Sequence, residues 1–342
     1  EDVSRQLLGD FAPGGRLAGA VGLDLLEARG DGALGLADAG DEAGLLLLVV
    51  DDALAELVEL EPALADRVLD GHDATFDDAL AVIRSADDEI LELLDAAFRV
   101  RRAHHGRDVR IHVLQNAKSG VCPEDCSFCS QSTAFETGVE RYRMQSVDEI
   151  VAGARRAHEM QAVKYCIVTA TRGPSARELD TVCEAVRQIK SEMDINICTS
   201  LGLLADGQAE QLAAAGVTRF NHNLETARRF FPEICSTHDF EDRVETVRAA
   251  KRAGLEACCG GIIGMGETEE DRVSLAFELR ELEVESIPVN FLDPRPGTPL
   301  GGVNRMSPVQ CLRTLCMFRF VNPTRDIRVA GGREANLRRM QP

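Results

Sequence analysis

A chain of 342 residues with 44% apolar side chains can bury a large core and has room for one barrel and a smaller appendage. Its formal net charge of −19 excludes a nucleic-acid partner held through clustered Lys and Arg, and leaves small or basic partners open. Eleven cysteines without a secretory leader argue for metal binding or catalysis over a disulfide framework. No apolar run approaches the roughly 20 residues of a membrane span, so a cytoplasmic protein is expected.

Residues 1–65 carry 14 acidic and 3 basic side chains, net −11 of the total −19, with no Cys and no His. They read as a separate acidic extension, with a β-like run over 44–50, a helix over 52–58 and no assignable chemistry. From residue 66 the pattern becomes that of the main domain, 66–342, with helices expected over 76–85 and 86–102. Short apolar runs then predict buried strands at 110–114, 165–170, 195–199, 219–223, 256–263, 287–291 and 327–329. Helical periodicity fills the intervals at 147–159, 176–192, 208–215, 240–253, 269–282 and 308–320. Repeated βαβ units at this spacing predict an α/β fold, a TIM-type (β/α)8 barrel truncated after about the seventh strand, with the N-terminal extension in front. A start at Glu1 and an end at Pro342 after a charged, helical-looking stretch read as a fragment.

Barrel enzymes gather their chemistry at the C-terminal ends of the strands. Polar and thiol residues recur on or near the predicted strands: Cys166, Cys198, Asn221 with Asn223, Cys258, Asn290 and Arg328. Any one thiol could be a small buried hydrophobe, but together they suggest the lining of one cavity. The sharpest motif is Cys122-Pro-Glu-Asp-Cys126-Ser-Phe-Cys129, on the loop after the first strand. Three thiolates at this spacing can hold three irons of a cubane and leave the fourth open to a substrate ligand. Structural zinc is the alternative, and it wants a fourth protein ligand from a second matched pair that is not found here.

This C-x3-C-x2-C run is the signature of the radical S-adenosylmethionine superfamily, and further stretches resemble the biotin synthase family within it. They are Cys122–Cys126 with Gln131-Ser132, Asn221-His222-Asn223-Leu224-Glu225-Thr226, and Gly260 to Thr268. Pro288-Val289-Asn290, Gly297-Thr298-Pro299-Leu300, and Arg328 ahead of Gly332-Arg333-Glu334 complete the set. The likeness covers roughly residues 65–342. It implies a [4Fe-4S] cluster on Cys122, Cys126 and Cys129, whose open iron binds S-adenosylmethionine and cleaves it reductively to a 5′-deoxyadenosyl radical. That radical would take hydrogen from a saturated carbon of dethiobiotin, and sulfide from an auxiliary [2Fe-2S] cluster would then close the biotin ring.

Residue by residue, the resemblance places Phe128 near the adenine, Asn223 and Glu225 on the ribose, and Arg243 on the methionine carboxylate. Asn221, Asn223 and Asn290 would hold the ureido ring, for which an amide offers both donor and acceptor; a turn residue satisfying its own backbone is the alternative for each. Cys166, Cys198 and Cys258 match the thiolates of the auxiliary cluster and Arg328 its fourth ligand, with a salt bridge at the barrel floor as the alternative for an always-charged guanidinium. Cys259 stands beside Cys258 where the family often has Ser, so either thiol and another cluster type remain open. Cys183, Cys311, Cys316 and Cys235 read as buried structural thiols. The segment for the substrate's side-chain carboxylate is expected beyond Pro342. Implied partners are a flavodoxin- or ferredoxin-type electron donor, iron–sulfur assembly proteins and a second copy in a homodimer. The rival readings are another radical enzyme of the hydrogenase-maturase kind and an inactive iron–sulfur binding protein.

Overall fold

The computed structural model describes residues 60–340; the run over 44–50 and the helix over 52–58 lie outside the described residues. Helices α1 (Leu60–Leu69), α2 (Phe76–Arg84) and α3 (Ile90–His105) come first. Helix α1 crosses position 65, with Leu64 and Ala65 1% and 0% exposed, so the packed unit includes residues that the composition had grouped with the acidic extension.

Strand and helix then alternate: β1 (His112–Lys118), α4 (Val147–Glu159), β2 (Lys164–Thr169), α5 (Ala176–Glu192), β3 (Asn196–Ser200), α6 (Gln208–Ala215) and β4 (Arg219–Asn221). They are followed by α7 (Phe240–Arg252), β5 (Glu256–Cys258), β6 (Gly261–Ile263), α8 (Glu269–Glu281), β7 (Ser286–Phe291), α9 (Pro308–Val321), β8 (Asp326–Val329) and the short α10 (Arg333–Leu337). All ladders are parallel, in the order β1, β2, β3, β4, then β5 and β6 end to end along one edge of β7, then β8. The strands thus fill seven positions of a barrel. Among the described residues no backbone bond closes β8 on β1, and the two meet through side chains, Arg328 Nη1 donating to His112 Nδ1 at 2.8 Å.

Local sequence explains most of the boundaries. Helices α2, α4, α5, α7, α8 and α9 each open on a Ser, Thr or Asp whose side chain accepts from the third residue's N–H, while that residue's side chain reaches back to the cap. Each such box satisfies N–H groups that the helix leaves bare, at about 1 kcal/mol apiece. The apolar stripes behind these caps form two clusters outside the sheet. One joins α4, α5 and α6 to β1–β4, and the other joins α1–α3 to α8 and α9.

Two strand readings are corrected. The first strand begins at His112 and runs through Lys118, because polar Gln115, Asn116 and Lys118 pair with β2 although they do not look like strand core. The run over 256–263 is broken at Cys259 and Gly260, where the ladder is diverted: Gly260 N–H goes to Asn223 Oδ1 (3.2 Å) and Gly260 O accepts from Leu224 and Glu225. Only glycine fits at positions 260 and 261. A Cβ on Gly260 would lie 2.0 Å from Pro288 O, and one on Gly261 2.6 Å from Glu225 O.

Candidate active site

The cysteine loop leaves the C-terminal end of β1 and is folded back on itself. Cys122 N donates to Gln131 O (3.1 Å), Thr133 N to Cys122 O (2.8 Å), and Cys129 N to Cys126 O (2.9 Å). Two other loops clamp it, through Ser127 N to Ile234 O (2.8 Å) and Leu300 N to Ser127 O (3.3 Å). The second clamp brings in the Gly297–Leu300 stretch. Burial raises the Cys122 and Cys129 thiols, while Cys126 is raised first by its hydrogen bond with Cys235 and then by burial; the Arg243 charge opposes the rise in all three. Three thiols on one loop beside a fixed guanidinium are a donor set that fits a cubane with one open iron. Phe128 is half-buried and packs against the larger cluster.

Beside this loop, the chain leaves β4 through Asn223 and Glu225. Glu225 has φ 71°, a conformation that a non-glycine residue adopts only when its surroundings impose it. They do so here, since Glu225 O accepts from Ile262 N at 2.7 Å. Arg243, from α7, ties the group together: Nη1 donates to Asn223 O (2.9 Å) and lies 3.5 Å from Glu225 Oε1, Nε donates to His238 Nε2 (2.9 Å), and Nη2 lies 3.8 Å from Cys126 Sγ. Burial raises the Glu225 pKa, with Arg243 pulling the other way. Asn223, Glu225, Arg243 and Cys126 are therefore one contact group. The turn after β6 is self-satisfied, Glu267 accepting from Gly264 N and Met265 N at 2.7 Å each.

Deeper in the barrel, register brings together residues far apart in the chain. Cys166 pairs with Cys198, and the ladder then climbs so that Asn221 faces Cys258, Cys258 faces Ser286 and Pro288 faces Arg328. Arg328 Nη2 donates to Cys258 Sγ at 2.6 Å and Nε to Ser286 Oγ at 3.0 Å. A hydrogen bond with Cys166, and then burial, raise Cys198 well above the usual thiol range, and burial raises Cys258; Arg328 opposes both. Three thiols and a guanidinium thus converge in one enclosed layer, a donor set that fits a small iron–sulfur cluster. Cys259 points the other way. It is 0% exposed within the outer apolar cluster, which leaves Cys258 as the thiol facing Arg328.

Asn290 lies on β7 with its amide committed on both sides, Nδ2 donating to Gly261 O (3.0 Å) and Oδ1 accepting from Gly331 N (2.8 Å). One N–H and one lone pair remain for a ligand. Asn221 carries no such tie among the described hydrogen bonds and stands at the end of β4, in register with Cys258.

Several neighbours escaped the sequence reading. His112 accepts from Arg328, and since a guanidinium can only donate, its Nδ1 is unprotonated. Burial, then the charges of Arg328 and Arg219, hold this imidazole down to about 4. It stands on β1, two residues before the rung partner of Cys166, a relation set by the sheet register and not by any local motif. The second omission is Cys235-Ser-Thr-His238, a C-x2-H spacing read only as a structural thiol. Cys235 Sγ lies 3.8 Å from Cys126 Sγ, 3.3 Å from Asp125 Oδ1 and 3.4 Å from His238 Nδ1, and Glu124 contacts His238 directly. Its hydrogen bonds, with Cys126 first, hold the Cys235 thiol down to about 4. Cys183, Cys311 and Cys316 are buried in α5 and α9, as expected of structural thiols.

A family profile described as the Radical SAM superfamily matches residues 117–279, and one described as the Biotin and Thiamin Synthesis associated domain matches 288–342. The biotin synthase of Salinibacter ruber is 60% identical over 279 residues, 82% of this chain and 78% of that protein. The biotin synthase of Bacillus subtilis is 48% identical over 279 residues, 82% of this chain and 83% of that protein. Among solved structures, methylornithine synthase superposes with a TM-score of 0.71 at 22% identity, covering 78% of this chain and 80% of that one. The FeFe-hydrogenase maturase HydG of Carboxydothermus hydrogenoformans gives 0.68 at 18%, covering 84% and 68%. Those two likenesses concern the fold. Identity near one half to three fifths across four-fifths of the chain is of another order, and on it the chain belongs to the biotin synthase family of radical S-adenosylmethionine enzymes.

Proposed function

We propose that the chain converts dethiobiotin to biotin in the lumen between its two thiol sets. The reading rests chiefly on the segment from Asn221 to Glu225. Asn221 stands in register with Cys258 of the deep set, and Asn223 and Glu225 sit within the Arg243 group that touches Cys126. One short stretch of chain thus links the two sets, with amides in between.

Cys122, Cys126 and Cys129 would hold the [4Fe-4S] cluster, and Cys166, Cys198, Cys258 and Arg328 an auxiliary cluster, read as [2Fe-2S]. When bound, the two supply the electron that opens the sulfonium of S-adenosylmethionine and the sulfur that enters the substrate. The chain's own part is to bind and orient, because an unactivated C–H bond offers no acid–base route. Asn223 and Glu225 accept and donate to ribose hydroxyls, Arg243 faces the methionine carboxylate, and Phe128 packs toward the adenine. Asn221, Asn223 and the free half of the Asn290 amide take the ureido group. His112 and Ser286 fix the plane of Arg328 against Cys258.

Electrons would come from a flavodoxin- or ferredoxin-type donor, clusters from iron–sulfur assembly proteins, and the working unit would be a homodimer. The acidic segment is assigned no part in this chemistry. The test is anaerobic reconstitution followed by addition of S-adenosylmethionine, reductant and dethiobiotin, with both 5′-deoxyadenosine and biotin measured. Both products are expected. Deoxyadenosine alone would overturn the substrate, and neither would favour an inactive iron–sulfur protein.

A further inference from the structure

Cys126 and Cys235 are 109 positions apart, yet their sulfurs lie 3.8 Å from each other and the two residues are only 8% and 6% exposed. The loops that carry them are laced together on both sides of the pair. Asp125 Oδ1 accepts from Ser236 N (3.0 Å) and Thr237 N (3.2 Å), Asp125 N donates to Thr237 Oγ1 (3.3 Å), and Ser127 N donates to Ile234 O (2.8 Å). The approach of the thiols is therefore built into the backbone and is not one chance rotamer. A disulfide requires about 2.05 Å between sulfurs, and rotation of two loop-borne side chains can supply the difference.

We propose that Cys235 is a resolving thiol for Cys126: in the cluster-free protein, hydrogen peroxide oxidises the pair to a disulfide. One thiol sulfur attacks a peroxide oxygen, giving a sulfenic acid and water. The second thiol then displaces the sulfenic hydroxyl as a second water, so the pair loses two protons and two electrons and the peroxide gains them. The disulfide holds Cys126 at a reversible oxidation level and keeps it from sulfinic acid, which thiol reductants do not repair. The consequence rests on Cys126 being a cluster ligand as read above. With it bridged, the loop offers only Cys122 and Cys129, and iron uptake there waits for reduction.

The test uses the full chain, stripped of iron anaerobically, treated with hydrogen peroxide, alkylated, digested and mapped by mass spectrometry without reductant. A peptide joining Cys126 to Cys235 is expected, with iron uptake on reconstitution reduced and then restored by dithiothreitol. In Cys235→Ser and Cys235→Ala, each first checked for an unchanged melting temperature, Cys126 should instead accumulate sulfinic acid and dithiothreitol should fail to restore iron uptake. Linkage of Cys126 to Cys122 or Cys129, or equal sulfinic acid at Cys126 in wild type and variants, would overturn the proposal. The expected linkage with undiminished iron uptake would leave the resolving role standing and overturn the reading of Cys126 as a ligand.

Discussion

Cys258 and Cys259 are neighbours in the chain and face opposite sides of the sheet, one against Arg328 and the other in the outer apolar cluster. On the proposed assignment, Cys258→Ser should lose the visible absorption of the proposed auxiliary cluster and biotin formation while still producing 5′-deoxyadenosine. Cys259→Ser should keep both products, and the reverse pattern would contradict the assignment. Arg243 supports a second prediction, since one guanidinium spans Asn223, Glu225, His238 and Cys126. A lysine cannot make that fork, so Arg243→Lys should weaken S-adenosylmethionine binding by roughly 10- to 100-fold in equilibrium dialysis of the reconstituted protein. At this scale the three-cysteine motif was legible because its spacing is local. His112 goes unread and Cys235 reads only as a structural thiol, since what marks each is a partner reached only through the fold.

Helix α8 carries a half-buried acid that Arg228 compensates only in part. Glu278 lies 3.8 Å from Arg228 Nε, its Oε2 has no hydrogen-bond partner, and burial lifts its pKa to about 7. Between the ordinary carboxylate range and pH 7 the folded chain keeps this proton while the unfolded chain has lost it. The side chain's contribution to stability is thus complete below the ordinary range and is lost as pH rises through about 7. Glu278→Gln should remove that slope and raise stability at pH 8 by about 1–3 kcal/mol, measured by urea unfolding at pH 5 and pH 8. Equal slopes in wild type and variant would contradict it. Elements were otherwise the most readable level: capping pairs such as Ser175 with Glu178 mark helix starts in the sequence itself. The break in the run over 256–263 was not readable, because it depends on Asn223 and Pro288 approaching Gly260 from elsewhere in the chain.

For the whole molecule, alternating strands and helices announced a parallel barrel, and seven strand positions are observed. The deep site is a product of that barrel. Cys166, Cys198, Cys258 and Arg328 share no local motif, and only the parallel register and its climb across β4 bring them to one layer. The central claim is that this layer gives the sulfur and the loop above it gives the radical. The most direct measurement is to reconstitute the protein with heavy-isotope sulfide, remove free sulfide, and run a single turnover with S-adenosylmethionine, reductant and dethiobiotin. Mass spectrometry should find biotin carrying the heavy sulfur, in wild type and not in Cys258→Ser. Biotin made with unlabelled sulfur, or equally labelled biotin from Cys258→Ser, would contradict the account.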